Sequence, residues 1–234
     1  MSSASSDKRT LPQLIREALA EPRAEALLDR RNGVWTPTST QQLLERVENV
    51  ACAIRASGVA AGERVGLIAH DCVDWIVADF GTLFAGCVVV PIYPTQADDQ
   101  TAYVLEHSDA KLVFVATASG ATRLRGLRVT APIVVMDGDG DDGLAAFEAR
   151  GAAVRTALRD VPQAYEAALQ PEDLAVLIYT SGTTGNPKGV MLSHDNLGFH
   201  ARATLDVASD VLFPGADVLS ALPYSHIFEH ATLY

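Results

Sequence analysis

From Val65 onward, short β-rich apolar runs alternate with stretches of helical periodicity, and this rhythm constrains the chain more than any other feature. Val65 to His70, Val88 to Tyr93, Leu112 to Ala116, Ile133 to Met136 and Leu174 to Tyr179 have the length and Val/Ile/Leu content of buried strands. Between them Val73 to Ala85, Asp98 to His107 and Leu144 to Arg150 predict helices. The alternation implies parallel β-α-β units, hence a layered α/β domain whose ligands bind at the carboxyl ends of the strands.

Ahead of this region, residues 1–9 are polar and predict a disordered lead, and Leu11 to Ala20 a short amphipathic helix. Ala24 to Thr36 predicts a hairpin, with Asn32-Gly33 as its tight turn. A longer helix follows: Leu43, Leu44, Val47, Val50, Ala51 and Ile54 recur at helical spacing, Ser39 and Gln42 form a capping box, and Gly58 ends it.

Charge and composition exclude several classes of function. The formal net charge is −11 and no Lys/Arg run exceeds two residues, which argues against a nucleic-acid partner and against a polybasic membrane anchor. The longest apolar stretch, Phe80 to Tyr93, is too short to span a bilayer and contains Pro91. No apolar signal core opens the chain, so a soluble, cytoplasmic protein is expected. Cys52, Cys72 and Cys87 are odd in number and widely spaced, which suggests neither a disulfide framework nor a zinc site. In DGDGDDG, at 137–143, Asp137, Asp139, Asp141 and Glu148 fall on EF-hand spacing. However, Asp142 stands where the loop needs glycine, and a strand precedes it, so a solvated acidic loop is expected.

Two segments carry chemistry. Tyr179 to Val190, YTSGTTGNPKGV, combines hydroxyls, glycines and a lysine in the composition of a polyphosphate cradle. Glycines let the backbone approach a ligand so that successive N–H groups converge on anionic oxygens. It lacks the spacing of a Walker A loop. A β-rich run precedes it, and the segment from Ser193 is helical with Ser193 as N-cap, so the loop is expected between a strand and a helix. The second segment, LPYSHIFEH from Leu222 to His230, predicts a strand running into a loop. His226 and His230 are spaced for a metal pair but have no third ligand nearby, and Ser225 lacks a nucleophile elbow.

The whole string YTSGTTGNPKGV resembles the phosphate-loop signature of the adenylate-forming superfamily. LPYSHIFEH looks like that superfamily's acyl-site segment, in a form most similar to long-chain fatty-acid:CoA ligases. GERVGLIAHDCVDW, FGTLFAGCVVVPIYPT and DAKLVFV follow the order of their N-terminal region. The resemblance covers residues 10–234 and implies a partial AMP-binding domain, with the family's C-terminal domain absent and the chain alone unable to turn over. The implied reaction uses ATP to convert a fatty acid to an acyl-adenylate and then to acyl-CoA. Thr180, Ser181, Gly182, Thr183, Thr184, Gly185 and Lys188 would hold the β- and γ-phosphates, with Lys188 and Thr184 the catalytic groups and Thr184 the Mg²⁺ contact. His226 and His230 would belong to the acyl site. A greasy substrate implies transient contact with a membrane surface. Another adenylate-former, acting on aryl or short-chain acids or stopping at the acyl-adenylate, and a non-catalytic phosphate-binding relative are the alternatives.

Overall fold

Local sequence sets the first elements. The computed structural model describes residues 8–31, 33–158, 161–180, 186–213 and 215–234. Helix α1 (Leu11–Ala18) is followed by an antiparallel pair, β1 (Leu27–Arg31) with β2 (Val34–Thr38). Asn32 of the expected turn lies outside the described residues, and Gly33 takes φ +82°. Helix α2 (Thr40–Ala56) opens on the expected capping box. Ser39 Oγ accepts from the Gln42 amide at 3.1 Å, and Gln42 Oε1 accepts from the Ser39 amide at 2.9 Å. The disordered lead expected over 1–9 falls mostly outside the described residues. Lys8 is placed, with its ammonium 2.7 Å from Glu172 and 3.3 Å from Asp195.

The alternating region then runs β3 (Arg64–Ile68), α3 (Val73–Phe84), β4 (Val88–Pro91), α4 (Asp98–His107), β5 (Ala110–Val115), α5 (Ala118–Gly126), β6 (Ile133–Val135), α6 (Leu144–Ala157), α7 (Val161–Ala167) and β7 (Leu174–Thr180). It closes with β8 (Lys188–Ser193), α8 (His194–Val207) and α9 (Ile227–Thr232). Among the described residues, six strands form one sheet in the order β6-β5-β3-β4-β7-β8. The first five are parallel, so the expected α/β layering is the one observed.

Successive residues of a strand face opposite sides, and the sheet's two apolar layers follow from that alternation. Val65 and Leu67 of β3 join Val47, Trp75, Phe84, Phe114 and Phe147 on the α2/α3/α6 side. Ile68, Val90, Val113 and Val115 join Val104, Leu105 and Leu124 on the α4/α5 side. Gly151 lets α6 cross α2 at backbone contact: a Cβ there would lie 1.7 Å from the Asn49 carbonyl oxygen.

Two expectations need correcting. The Gly/Thr loop joins a strand to a strand: Lys188–Ser193 pairs antiparallel with β7, and only then does α8 begin at His194. GVML shows no alternation because β8 lies at the sheet's edge, with Val190 and Met191 both exposed. The segment Leu222–His230, expected as a strand, is irregular up to His226 and then forms α9. Ser193 does cap α8, its Oγ accepting from the Asn196 amide at 3.2 Å. In the acidic loop, Glu148 is turned away and paired with Arg46 at 2.7 Å. Asp142 supplies a backbone carbonyl to the Val135 amide. No helix of the described residues is long and apolar enough to cross a membrane.

Candidate active site at the carboxyl ends of the strands

Parallel strands end together on one edge of the sheet, and that edge is where α/β proteins place their ligands. β3 ends into Ala69, His70 and Asp71, and β4 into Tyr93, Pro94 and Thr95. Pro223 and Ser225, from the distant Leu222–His230 segment, complete a cleft of about 340 Å³ with those residues. The join is specific, since Asp71 Oδ1 accepts the Tyr224 backbone N–H at 2.8 Å. Burial pushes the Asp71 carboxyl up from its ordinary value, and the Tyr224 amide pulls it part of the way back. A second hollow of about 150 Å³ lies among Ile15, Leu27, Leu43, Ile76 and Phe80. Its lining is mainly apolar, and Tyr234 is among the residues that form it.

β7 is the neighbour of β4, with Val176 opposite Val89, so its carboxyl end opens on the same edge. There Thr180 pairs with Lys188, the first residue of β8, which brings the two arms of the Gly/Thr loop into register. Both residues are exposed, and among the described residues Lys188 has no ion pair. Ser181, Gly182, Thr183, Thr184 and Gly185 lie outside the described residues. Behind the arms, Tyr179 faces Gly189 across the strand pair. A Cβ on Gly189 would lie 3.3 Å from Tyr179 Cζ and 2.9 Å from Leu177 Cδ1.

The two histidines of the second segment have different surroundings. His226 is exposed at the N-cap of α9, its Nδ1 accepting from the Phe228 amide at 3.3 Å. His230 is 1% exposed, with Nε2 2.9 Å from Asp79 Oδ1 and 2.7 Å from the Tyr234 hydroxyl. Burial, with Asp79 alongside, holds the Tyr234 hydroxyl well above its usual range. The two histidines are thus brought to one short helix, His226 exposed at its N-cap and His230 buried within it. Among the described residues no three His, Cys, Asp or Glu side chains cluster as a metal site.

Asp71, Asp79 and His194 were missed in the sequence. Asp71 stands just past a strand's carboxyl end, the favoured ligand position, and Asp79 is a carboxylate inside a buried helix, which demands a partner. His194 opens α8 with its Nδ1 accepting from the Leu11 amide at 3.2 Å, and burial pulls it down to about 4.

An open, mostly parallel α/β sheet with a cleft and the two arms of a Gly/Thr loop at its carboxyl edge has the architecture of a small-molecule-binding α/β domain. Comparison with known proteins narrows this: the AMP-binding enzyme family matches residues 14–234, and the chain belongs to that family. It is 34% identical over 204 residues to the long-chain-fatty-acid–CoA ligase FadD15 of Mycobacterium bovis, covering 86% of this chain and 34% of that protein. It is 31% identical over 209 residues to human long-chain-fatty-acid–CoA ligase 1, covering 82% and 30%. The chain therefore spans about a third of the length of these relatives. Among solved structures, ATP-bound MatB from Rhodopseudomonas palustris superposes with a TM-score of 0.75 at 24% identity, over 95% of this chain and 42% of that one. The fatty acyl-adenylate ligase of Legionella pneumophila, in complex with acyl adenylate and pyrophosphate, gives 0.67 at 25% identity, over 84% and 32%.

Proposed function

We propose that this chain supplies the phosphate-gripping and acyl-side elements of a long-chain fatty-acid:CoA ligase. Such an enzyme activates a fatty acid with ATP to acyl-adenylate and pyrophosphate, then passes the acyl group to CoA. The observation that carries this reading is the cross-strand pairing of Thr180 with an exposed Lys188, which has no ion pair among the described residues, on the edge where the cleft opens. The names of the curated relatives support the substrate class.

A fatty carboxylate is ionised at neutral pH, so its attack on the α-phosphorus needs no general base. It needs charge neutralisation and in-line positioning. Lys188 brings a fixed positive charge; the hydroxyls of Thr180, Ser181, Thr183 and Thr184 and the backbone amides at Gly182 and Gly185 bring donors for the β- and γ-phosphates. Hydroxyl and phosphate oxygens suit Mg²⁺, with Thr184 as its protein contact, and the ion when bound neutralises charge on the leaving pyrophosphate. His226, exposed at the head of α9, takes the acyl side, and His230 belongs to the same segment from its buried end. Transient contact of a cytoplasmic protein with a membrane surface fits so apolar a substrate.

Calorimetric titration of the chain with ATP tests this assignment. Lys188→Ala is expected to weaken binding about tenfold or more, the worth of one charge-assisted contact. A wild-type chain that binds neither ATP nor pyrophosphate would sink it.

A further inference from the structure

Helix α3 buries nearly every side chain it has, and Asp79 in its middle is 0% exposed. A carboxylate in such a place persists only with partners. Both come from the far end of the chain: Oδ1 lies 2.9 Å from His230 Nε2, and Oδ2 accepts from the Tyr234 hydroxyl at 3.0 Å. The hydroxyl stands 2.7 Å from the same imidazole nitrogen, so the three groups close on one another. Trp75, one turn earlier on α3, meets His230 edge-on with ring centroids 5.1 Å apart, and Tyr224 at 5.2 Å.

The other end of this segment is fastened by a second carboxylate from the same β3–α3 unit, Asp71, through the Tyr224 amide at 2.8 Å. Between the two fastenings lie Ser225, which lines the cleft, and the exposed His226. Neither Asp79 nor His230 lines that cleft.

We infer that Asp71 and Asp79 are positioning residues that mount the Pro223–His226 stretch at two points against the ends of β3 and β4, with His230 and Tyr234 as the inner fastening and not as groups that meet substrate. A rigid mount matters because a substrate-orienting group displaced by about 1 Å forfeits much of its effect. A plain core pair would also be buried. It would not, however, be matched by a surface carboxylate holding the same segment across the cleft. The inference rests on the ligase reading for its effect on acyl binding and on geometry alone for the mount.

Two variants test it with two readouts. Asp71→Ala removes a surface acceptor and leaves the core intact, while Asp79→Asn keeps the shape and removes the charge. Hydrogen exchange followed by mass spectrometry should show amides of residues 224–232 exchanging about tenfold faster in each variant, with α2 unchanged. Affinity for the fluorescent fatty acid cis-parinaric acid should fall about tenfold in each variant, while the ATP affinity of Asp79→Asn, whose changed side chain does not line the cleft, stays within about twofold. Unchanged exchange in 224–232 in either variant, or equal losses for both ligands in Asp79→Asn, would overturn the inference. If Asp79→Asn does not fold, Asp71→Ala decides. A wild-type chain that binds neither probe would remove the ligase reading, and the exchange result would still decide whether the mount exists.

Discussion

The hydroxyl of Tyr179, the last residue but one of β7, lies 2.7 Å from Nδ1 of His107, the last residue of α4. His107 is itself stacked on Tyr103, with centroids 5.2 Å apart. Tyr179 is the first residue of the Gly/Thr motif, so the start of the loop is tied to a helix on one face of the sheet. Tyr179→Phe removes this tie and keeps the ring. It is expected to cost about 1 kcal/mol in urea unfolding and to weaken ATP binding a few-fold, while His107→Ala reproduces the second effect. ATP affinity unchanged in both variants would show that the loop needs no such tie.

Gly189 stands across from the same ring. A side chain there must push against Leu177 and Tyr179, so Gly189→Val is expected to cost about 1–3 kcal/mol. The strain falls on the arm that carries Lys188, so nucleotide affinity should drop more than for a mutation of equal cost in α6. Comparing ATP titrations of Gly189→Val with those of a stability-matched core variant checks this.

His194 predicts a pH effect whose sign is fixed. Burial holds its folded pKa down to about 4, below the usual 6.5, so the unfolded chain binds the extra proton between those values. Stability from keeping His194 neutral is fully present above pH 6.5 and declines as the pH falls to about 4. The loss is at most about 3 kcal/mol. Urea midpoints measured from pH 4 to 7 should show this slope in the wild type, and His194→Gln should flatten it.

The crossing of α2 and α6 is the least forgiving packing contact described above. Gly151→Ala sets a methyl group against the Asn49 carbonyl, backbone against helix, and no rotamer change relieves it. A loss of about 3 kcal/mol is expected, read as a drop in Tm by calorimetry. A variant with wild-type Tm would mean that the helices separate at no cost.

What was legible in the sequence was local. The Ser39–Gln42 box and the Ser193 cap were readable because each partner sits three residues away, and α4 was predicted over the span it occupies. β8 was not readable, because Lys188–Ser193 is a strand only by virtue of its pairing with β7. α5 was missed because only Ala121 and Leu124 of its nine residues are buried, too few to write a periodic pattern. The loop motif was legible as a string of residues, whereas the contacts that bring the Leu222–His230 segment to the β3–α3 unit, Asp71 with Tyr224 and Asp79 with His230, span 153 and 151 residues. No spacing rule reaches across such distances.

The antiparallel return of β8 has a consequence for the aim of Lys188. Side chains alternate faces along a strand, so a one-residue slip of β8 against β7 would swing the ammonium to the opposite side of the sheet. Only glycine at 189 accommodates the Tyr179 ring without crowding, which makes that slip a steric fault as well as an electrostatic one. The bare backbone beside the lysine therefore acts as an alignment key: it favours the registration in which glycine meets the ring, and that registration sets which face of the edge strand carries the lysine.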